Sequence, residues 1–167
     1  MKNRAFTYIE VLLSVAILGF VLIPLLSQFY TGFQGNIVAE LVTQSIDLAD
    51  DLMEEIKSKR FDENELPAEP VDPAAMGIDD GEISNDRGTF DDVDDYNNWQ
   101  QSPPQSIDGT ALNDFSAFGR SVFVEYITIS GADWISSTVT TYYKKITVIV
   151  THPKINDRRL ETIVSHY

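Results

Sequence analysis

The sequence predicts an α+β fold: one long N-terminal helix, apolar all round in its first half and amphipathic in its second, packed on a C-terminal antiparallel sheet of about three strands. Three observations carry this reading. Residues 11–26 are almost wholly apolar, interrupted only by Ser14, Gly19 and Pro24. Residues 36–59 repeat apolar side chains at spacings of three and four. From Ser121 onward the chain is β-branched and aromatic and alternates with period two.

The apolar run is near the lower length limit for a membrane span, and Phe29, Tyr30 and Phe33 extend it towards an interface. Lys2 and Arg4 precede it and an acidic flank follows it. The positive-inside rule then places the N-terminus in the cytoplasm and the body outside. Three readings of the run compete. A secretory signal peptide removed whole needs small residues after the run, and Ser27-Gln28-Phe29 is a poor cleavage site. A plain single-span anchor leaves Glu10 unexplained, since a carboxylate at the edge of a span is costly. A short leader cut before the run would leave the helix on the mature chain.

The segment Lys2-Asn3-Arg4-Ala5-Phe6-Thr7-Tyr8-Ile9-Glu10-Val11 resembles the prepilin signature of type IV pilins and type II secretion pseudopilins. In that family a short basic leader ends in a small residue, usually Gly, and the mature chain starts with Phe and has Glu fifth. Here Ala5 stands at the small position, Phe6 at the new N-terminus and Glu10 at the fifth place. The resemblance implies cleavage after Ala5 by a prepilin peptidase, N-methylation of Phe6, and pairing of Glu10 with the N-terminal amine of a neighbouring subunit. The physics agrees: the dipole favours a carboxylate near a helix N-terminus, and in apolar surroundings pairing offsets the cost of two lone charges. The chain would then divide into a leader (1–5), a transmembrane and assembly helix (6–35), and a pilin-like periplasmic domain (36–167). That domain comprises a helix (36–60), an acidic loop region (61–120) and antiparallel strands (121–167).

Beyond the membrane, positions 38, 41, 45, 48, 52 and 56 form a stripe that Ile37, Val42, Ile46, Ala49 and Met53 widen. Lys57, Lys59 and Arg60 fall where cations complement the helix dipole, and Phe61-Asp62 followed by Pro67 ends the helix. Run continuously from Thr7, it would span roughly 80 Å, with a kink or loosening expected at Pro24, Gly32 and Gly35. In the sheet, Val122, Val124 and Tyr126 alternate with Phe123, Glu125 and Ile127. Ile146, Val148 and Val150 share one face of a second strand, and Lys145, Thr147, Ile149 and Thr151 the other. Residues 152–157 read as a turn, and 159–167 as a third strand of a meander whose apolar face covers the helix stripe.

Residues 62–118 are rich in Asp, Asn, Pro, Gly and Ser and read as loops. Within them lies Phe90-Asp91-Asp92-Val93-Asp94-Asp95-Tyr96-Asn97-Asn98-Trp99. Two readings stand. One is a solvated acidic loop anchored by Phe90, Tyr96 and Trp99. The other is a calcium site with Asp91, Asp92, Asp94 and Asp95 as oxygen ligands, although the spacing is not that of an EF-hand. This segment, with the end of the helix at residues 48–63, also resembles minor pilins of the mannose-sensitive haemagglutinin type.

The formal net charge of -14 argues against nucleic-acid binding, which needs a basic face to meet phosphate. There is no cysteine, and His152 and His166 are too few for a zinc site. No nucleophile triad or phosphate loop is present, so no enzymatic activity is expected. Three functions follow as expectations. The first is a minor pilin or pseudopilin that joins or primes a filament, with the inner membrane, the peptidase and other pilin subunits as partners. The second is a calcium-dependent adhesive module on the same anchor. The third is an unrelated single-span protein with an extracytoplasmic domain.

Overall fold

The structure, a computed structural model, describes residues 7–62, 72–79, 81–84, 86–131 and 133–166. The elements follow the order of the sequence. Helix α1 is Tyr8–Lys57, and five strands follow: β1 Gln100–Gln101, β2 Gly119–Ser130, β3 Asp133–Ser136, β4 Tyr143–His152 and β5 Ile155–Ser165. The layout is the expected one, a long N-terminal helix with a C-terminal antiparallel sheet. The chain divides into two compact units, Met1–Glu40 and Leu41–Tyr167, and α1 contributes to both.

In the first unit every described residue, 7–40, is exposed. The helical backbone satisfies its own polar groups. The hydroxyls follow suit: Ser14 Oγ donates to the Glu10 carbonyl at 2.7 Å, and Thr31 Oγ1 to the Ser27 carbonyl at 3.0 Å. The helix continues through Pro24, Gly32 and Gly35. One missing donor does not end a helix of 50 residues whose neighbouring turns are all intact. What the segment does not do is bury its side chains within its own unit.

In the second unit the stripe on α1 becomes a core. Ser45, Leu48, Ala49, Leu52, Met53 and Ile56 are buried, with Leu41 partly so. Ile37, Val38 and Ile46 remain exposed, so the packed stripe is narrower than the sequence suggested and begins later. Opposite it stand Val122 and Val124 of β2 and Ile146, Val148 and Val150 of β4, all buried on the face the alternation assigned to them. Phe90, Val93, Tyr96, Trp99 and Phe118 complete the cluster. The region read as loops therefore supplies a third of this core, from segments without a period for the sequence to reveal. Phe90 and Tyr96 meet edge to face with centroids 5.0 Å apart.

The sheet has five strands in place of about three, all paired antiparallel, in the order β1-β2-β4-β5, with β3 on β2. The three long strands are the expected ones. β1 is two glutamines, too short and polar to announce itself. β3 folds back on the end of β2 in a hairpin with Gly131 at φ 67°, a conformation that favours glycine. The β4–β5 turn is tighter than expected: pairing resumes between His152 and Ile155.

Past α1 the chain runs beside the acidic segment. The Arg60 amide donates to the Asp91 carbonyl at 3.3 Å, and the Val93 amide to the Arg60 carbonyl at 3.0 Å. Lys59 Nζ donates to the Phe90 carbonyl at 2.6 Å, and Arg60 pairs with Asp91. Lys59 and Arg60 thus lie beyond the helix and clamp residues 90–93, a different task from the dipole role the sequence suggested.

Candidate functional site

Two places carry the sequence-predicted site residues. The first is the start of α1. Ala5 and Phe6 lie outside the described residues. Glu10 sits in the first turn, exposed, and its Oε2 lies 3.5 Å from the Thr7 amide. That is a long contact at a helix end where unpaired amides and the dipole favour a carboxylate. α1 is long and apolar enough to cross a membrane. Glu10 is the one acidic residue near the start of its apolar stretch.

The second place is the segment 91–95. It is not a solvated loop: Asp92, Asp94 and Asp95 are each at most 1 % exposed. Val93, Tyr96 and Phe90 pull the segment into the core, and a short 3-10 turn at Asp94–Tyr96 follows. The aspartates brace this turn. Asp92 Oδ1 accepts from the amides of Asp94 and Asp95 at 2.8 and 3.3 Å. Asp95 Oδ2 accepts from the amides of Asp91 and Asp92, both at 2.9 Å. These bonds use one oxygen of each carboxylate. The others, Asp92 Oδ2 and Asp95 Oδ1, are buried and make no hydrogen bond, as is Asp94 Oδ2.

The four aspartates of the sequence reading do not act as one set. Asp94 is taken by Lys144, a β4 side chain with no solvent exposure, whose Nζ donates to Asp94 Oδ1 at 2.5 Å and to the Phe61 carbonyl at 2.7 Å. Asp62 lies 3.4 Å from the same ammonium, and the rings of Phe61 and Tyr126 flank it at 4.5 and 5.2 Å. Asp91 is exposed and faces Arg60. Asp92 and Asp95 instead converge with residues the sequence reading passed over. One carboxylate oxygen each from Asp79, Asp92 and Asp95 lies within 4.8 Å of the other two, as do oxygens of Glu82, Asp91 and Asp95. Glu82 is placed by the 79–82 turn: its Oε2 accepts from the Asp79 amide at 3.1 Å and its Oε1 from the Asp91 amide at 3.2 Å. The Asp91 N–H is therefore shared between the carboxylates of Glu82 and Asp95.

This crowding raises the proton affinity of Asp92 and Asp95. Burial, then the charges of Asp94 and Asp95, push Asp92 up to about 8, against a smaller opposing pull from Lys144. Burial and the facing Glu82 carboxyl push Asp95 up to about 7, although backbone amides oppose the rise. A second buried polar group lies near the other edge of the core. Arg87 pairs with Glu55 on α1, donates to the Gln105 carbonyl at 2.6 Å and lies over the Trp99 ring. The Tyr96 hydroxyl donates to Glu55 at 2.8 Å, and Arg120 donates to Gln101 and the Gln105 carbonyl, each at 2.7 Å. These groups bond to one another and to the Gln105 carbonyl, while Arg120 Nε has no hydrogen-bond partner.

Asp79, Glu82, Asp62 and Lys144 were missed by sequence reasoning. Parity offered a signal for Lys144: it lies two residues before Ile146, on the buried face of β4. Nothing comparable marked Asp79 or Glu82 among so many acids. Compared with protein-family models, with curated proteins and with solved structures, the chain matches none.

Proposed function

We propose that the chain is a minor pilin or pseudopilin: a subunit anchored by α1 in the inner membrane, cut after Ala5, and assembled through that helix into a filament. The observation that carries this reading is the exposure of the whole segment 7–40, a helix whose apolar stretch to Phe33 holds one carboxylate, Glu10, at its start. Exposed apolar surface on this scale needs a lipid or protein environment. A lone carboxylate at its edge needs a partner. A methylated amine on Phe6 of a neighbouring subunit would supply that partner, and the motif at residues 2–11 supplies the means of exposing it. The body at 41–167 would then stand in the periplasm and on the filament surface. A type IV pilus of the mannose-sensitive haemagglutinin kind is favoured over a type II secretion pseudopilus by the helix end and acidic segment at residues 48–63 and 90–99.

The test is the mass and N-terminal sequence of the protein recovered from membranes of cells that hold a prepilin peptidase. The expected product starts at Phe6 and bears one extra methyl. A chain that stays uncut, both as it is and as the Ala5→Gly variant, would reduce the protein to a simple anchored domain. Glu10→Val should be cut normally and fail to enter filaments; normal incorporation would remove the role given to Glu10.

A further inference from the structure

We propose that Asp79, Asp92 and Asp95, with Glu82 as an acidic neighbour beside Asp95, form a site for one hard divalent cation, calcium in preference to magnesium, which ties the 79–82 turn to the 91–95 segment. Three aspartate oxygens of the segment are orphaned, and Lys144 already holds the other oxygen of one of these residues, Asp94, which leaves two carboxylates without a cation. Asp92 Oδ2 and Asp95 Oδ1 belong to side chains that are 0 % and 1 % exposed, and neither makes a hydrogen bond. A buried carboxylate oxygen without a partner costs free energy, and the usual remedies are a cation or a proton. Lys144 answers Asp94 and Asp62, Arg60 answers Asp91 and Arg87 answers Glu55. Among the described residues, Lys144, Arg60 and Arg87 are thus engaged with other carboxylates, and Lys59 donates to the Phe90 carbonyl.

Geometry then favours a metal ion. Oxygens that share a calcium ion at about 2.3–2.6 Å lie up to about 5 Å from each other across it. The oxygens of Asp79, Asp92 and Asp95 lie within 4.8 Å of one another. Glu82 faces Asp95 over a shared N–H, a placement that an ion between the two would turn from repulsive to attractive. Asp92 and Asp95 are fixed by amides of their own turn, whereas Asp79 and Glu82 are half-buried, which gives an ion a way in. Gly81, at φ 112°, lets the chain turn between Asp79 and Glu82. All the donors are carboxylate oxygens, which select against zinc and copper. Ligands drawn from two irregular segments suit the variable coordination of calcium better than the strict octahedron of magnesium.

The experiment uses the full chain in detergent, stripped with EDTA and titrated calorimetrically with calcium chloride, with thermal unfolding followed in parallel by tryptophan fluorescence. The expected result is one saturable calcium per chain. Its unfolding midpoint should rise by about 5 °C at hundredfold excess over Kd, and magnesium should bind at least tenfold more weakly. Glu82→Gln and Asp92→Asn should each weaken calcium at least tenfold, while Asp157→Asn on β5 leaves it unchanged. Asp92→Asn keeps an oxygen for the turn; should it nonetheless fail to fold, the half-buried Glu82→Gln decides alone. Three results overturn the proposal: no heat and no shift up to 10 mM calcium (about the weakest useful extracellular affinity, with a margin); equal affinity in both variants and the parent; or an unfolding midpoint that follows pH identically with and without calcium, which would assign the cluster to protons.

Discussion

Residues 7–40 and the core of the second unit depart from ordinary burial in opposite directions. The first leaves Leu, Ile, Val and Phe side chains exposed on a helix, and the second encloses Asp62, Asp92, Asp94, Asp95 and Lys144 at 2 % exposure or less. In water both arrangements are unfavourable, the one by exposed apolar area and the other by lost hydration. The remedies differ in kind. An apolar helix needs only an environment, lipid or a neighbouring helix, and any similar side chain serves as well. The carboxylates need particular partners at particular distances, so each position counts. One region is tolerant of its residues and strict about its surroundings, and the other is the reverse.

Lys144 gives the largest way to break that contrast. Lys144→Ala removes the ammonium from Asp94 and Asp62 and leaves both carboxylates buried, which should cost about 3–5 kcal/mol. Denaturant unfolding of the full chain in detergent, read by tryptophan fluorescence, measures it. A loss below about 1 kcal/mol would mean that the two aspartates are solvated or protonated, and the enclosed charge would then be no constraint at all.

The next effect separates the two halves of α1. Leu52 has no exposure and lies at the centre of the core, so Leu52→Ala should cost about 2–5 kcal/mol in the same measurement. Leu18→Ala removes an equal side chain from the exposed half and should leave this transition unmoved within about 0.5 kcal/mol. Equal losses would show that the exposed helix is part of the cooperative core.

The two regions also differ in how far the sequence exposes them. The apolar run, the helix stripe from Leu41 to Ile56 and the faces of β2 and β4 are periodic over neighbouring residues, and each was legible from spacing alone. Glu10 stood out because a single charge in an apolar run is a local anomaly. The acidic cluster is not local. It joins residue 62, the turn at 79–82, the segment 91–95 and Lys144, and only the folded chain brings these together. The segment's aromatics are legible as anchors, but what they carry inward is not. Phe90, Val93 and Tyr96 cannot enter the core without carrying Asp92, Asp94 and Asp95 inward with them.

The last effect is one of pH, and it tests the enclosed acids directly. Without added metal ion, Asp92 and Asp95 have folded-state values raised to about 8 and about 7. An unfolded aspartate titrates near 4. Between these limits the folded chain holds protons that the unfolded chain has released. The stability contributed by those protons is complete below pH 4 and is lost as pH rises through 7 and 8. Each group changes the folding equilibrium by at most about tenfold per pH unit in that window. Asp94, Glu82 and Lys144 face the same cluster, so the slope belongs to the group as a whole. Unfolding midpoints in EDTA at pH 5 and pH 8 should therefore fall in that order, and Asp92→Asn should flatten the difference. A midpoint that rises with pH would mean that the carboxylates are ionised and compensated within the fold, and the enclosed region would then resemble an ordinary ion-pair network more than a site short of a cation.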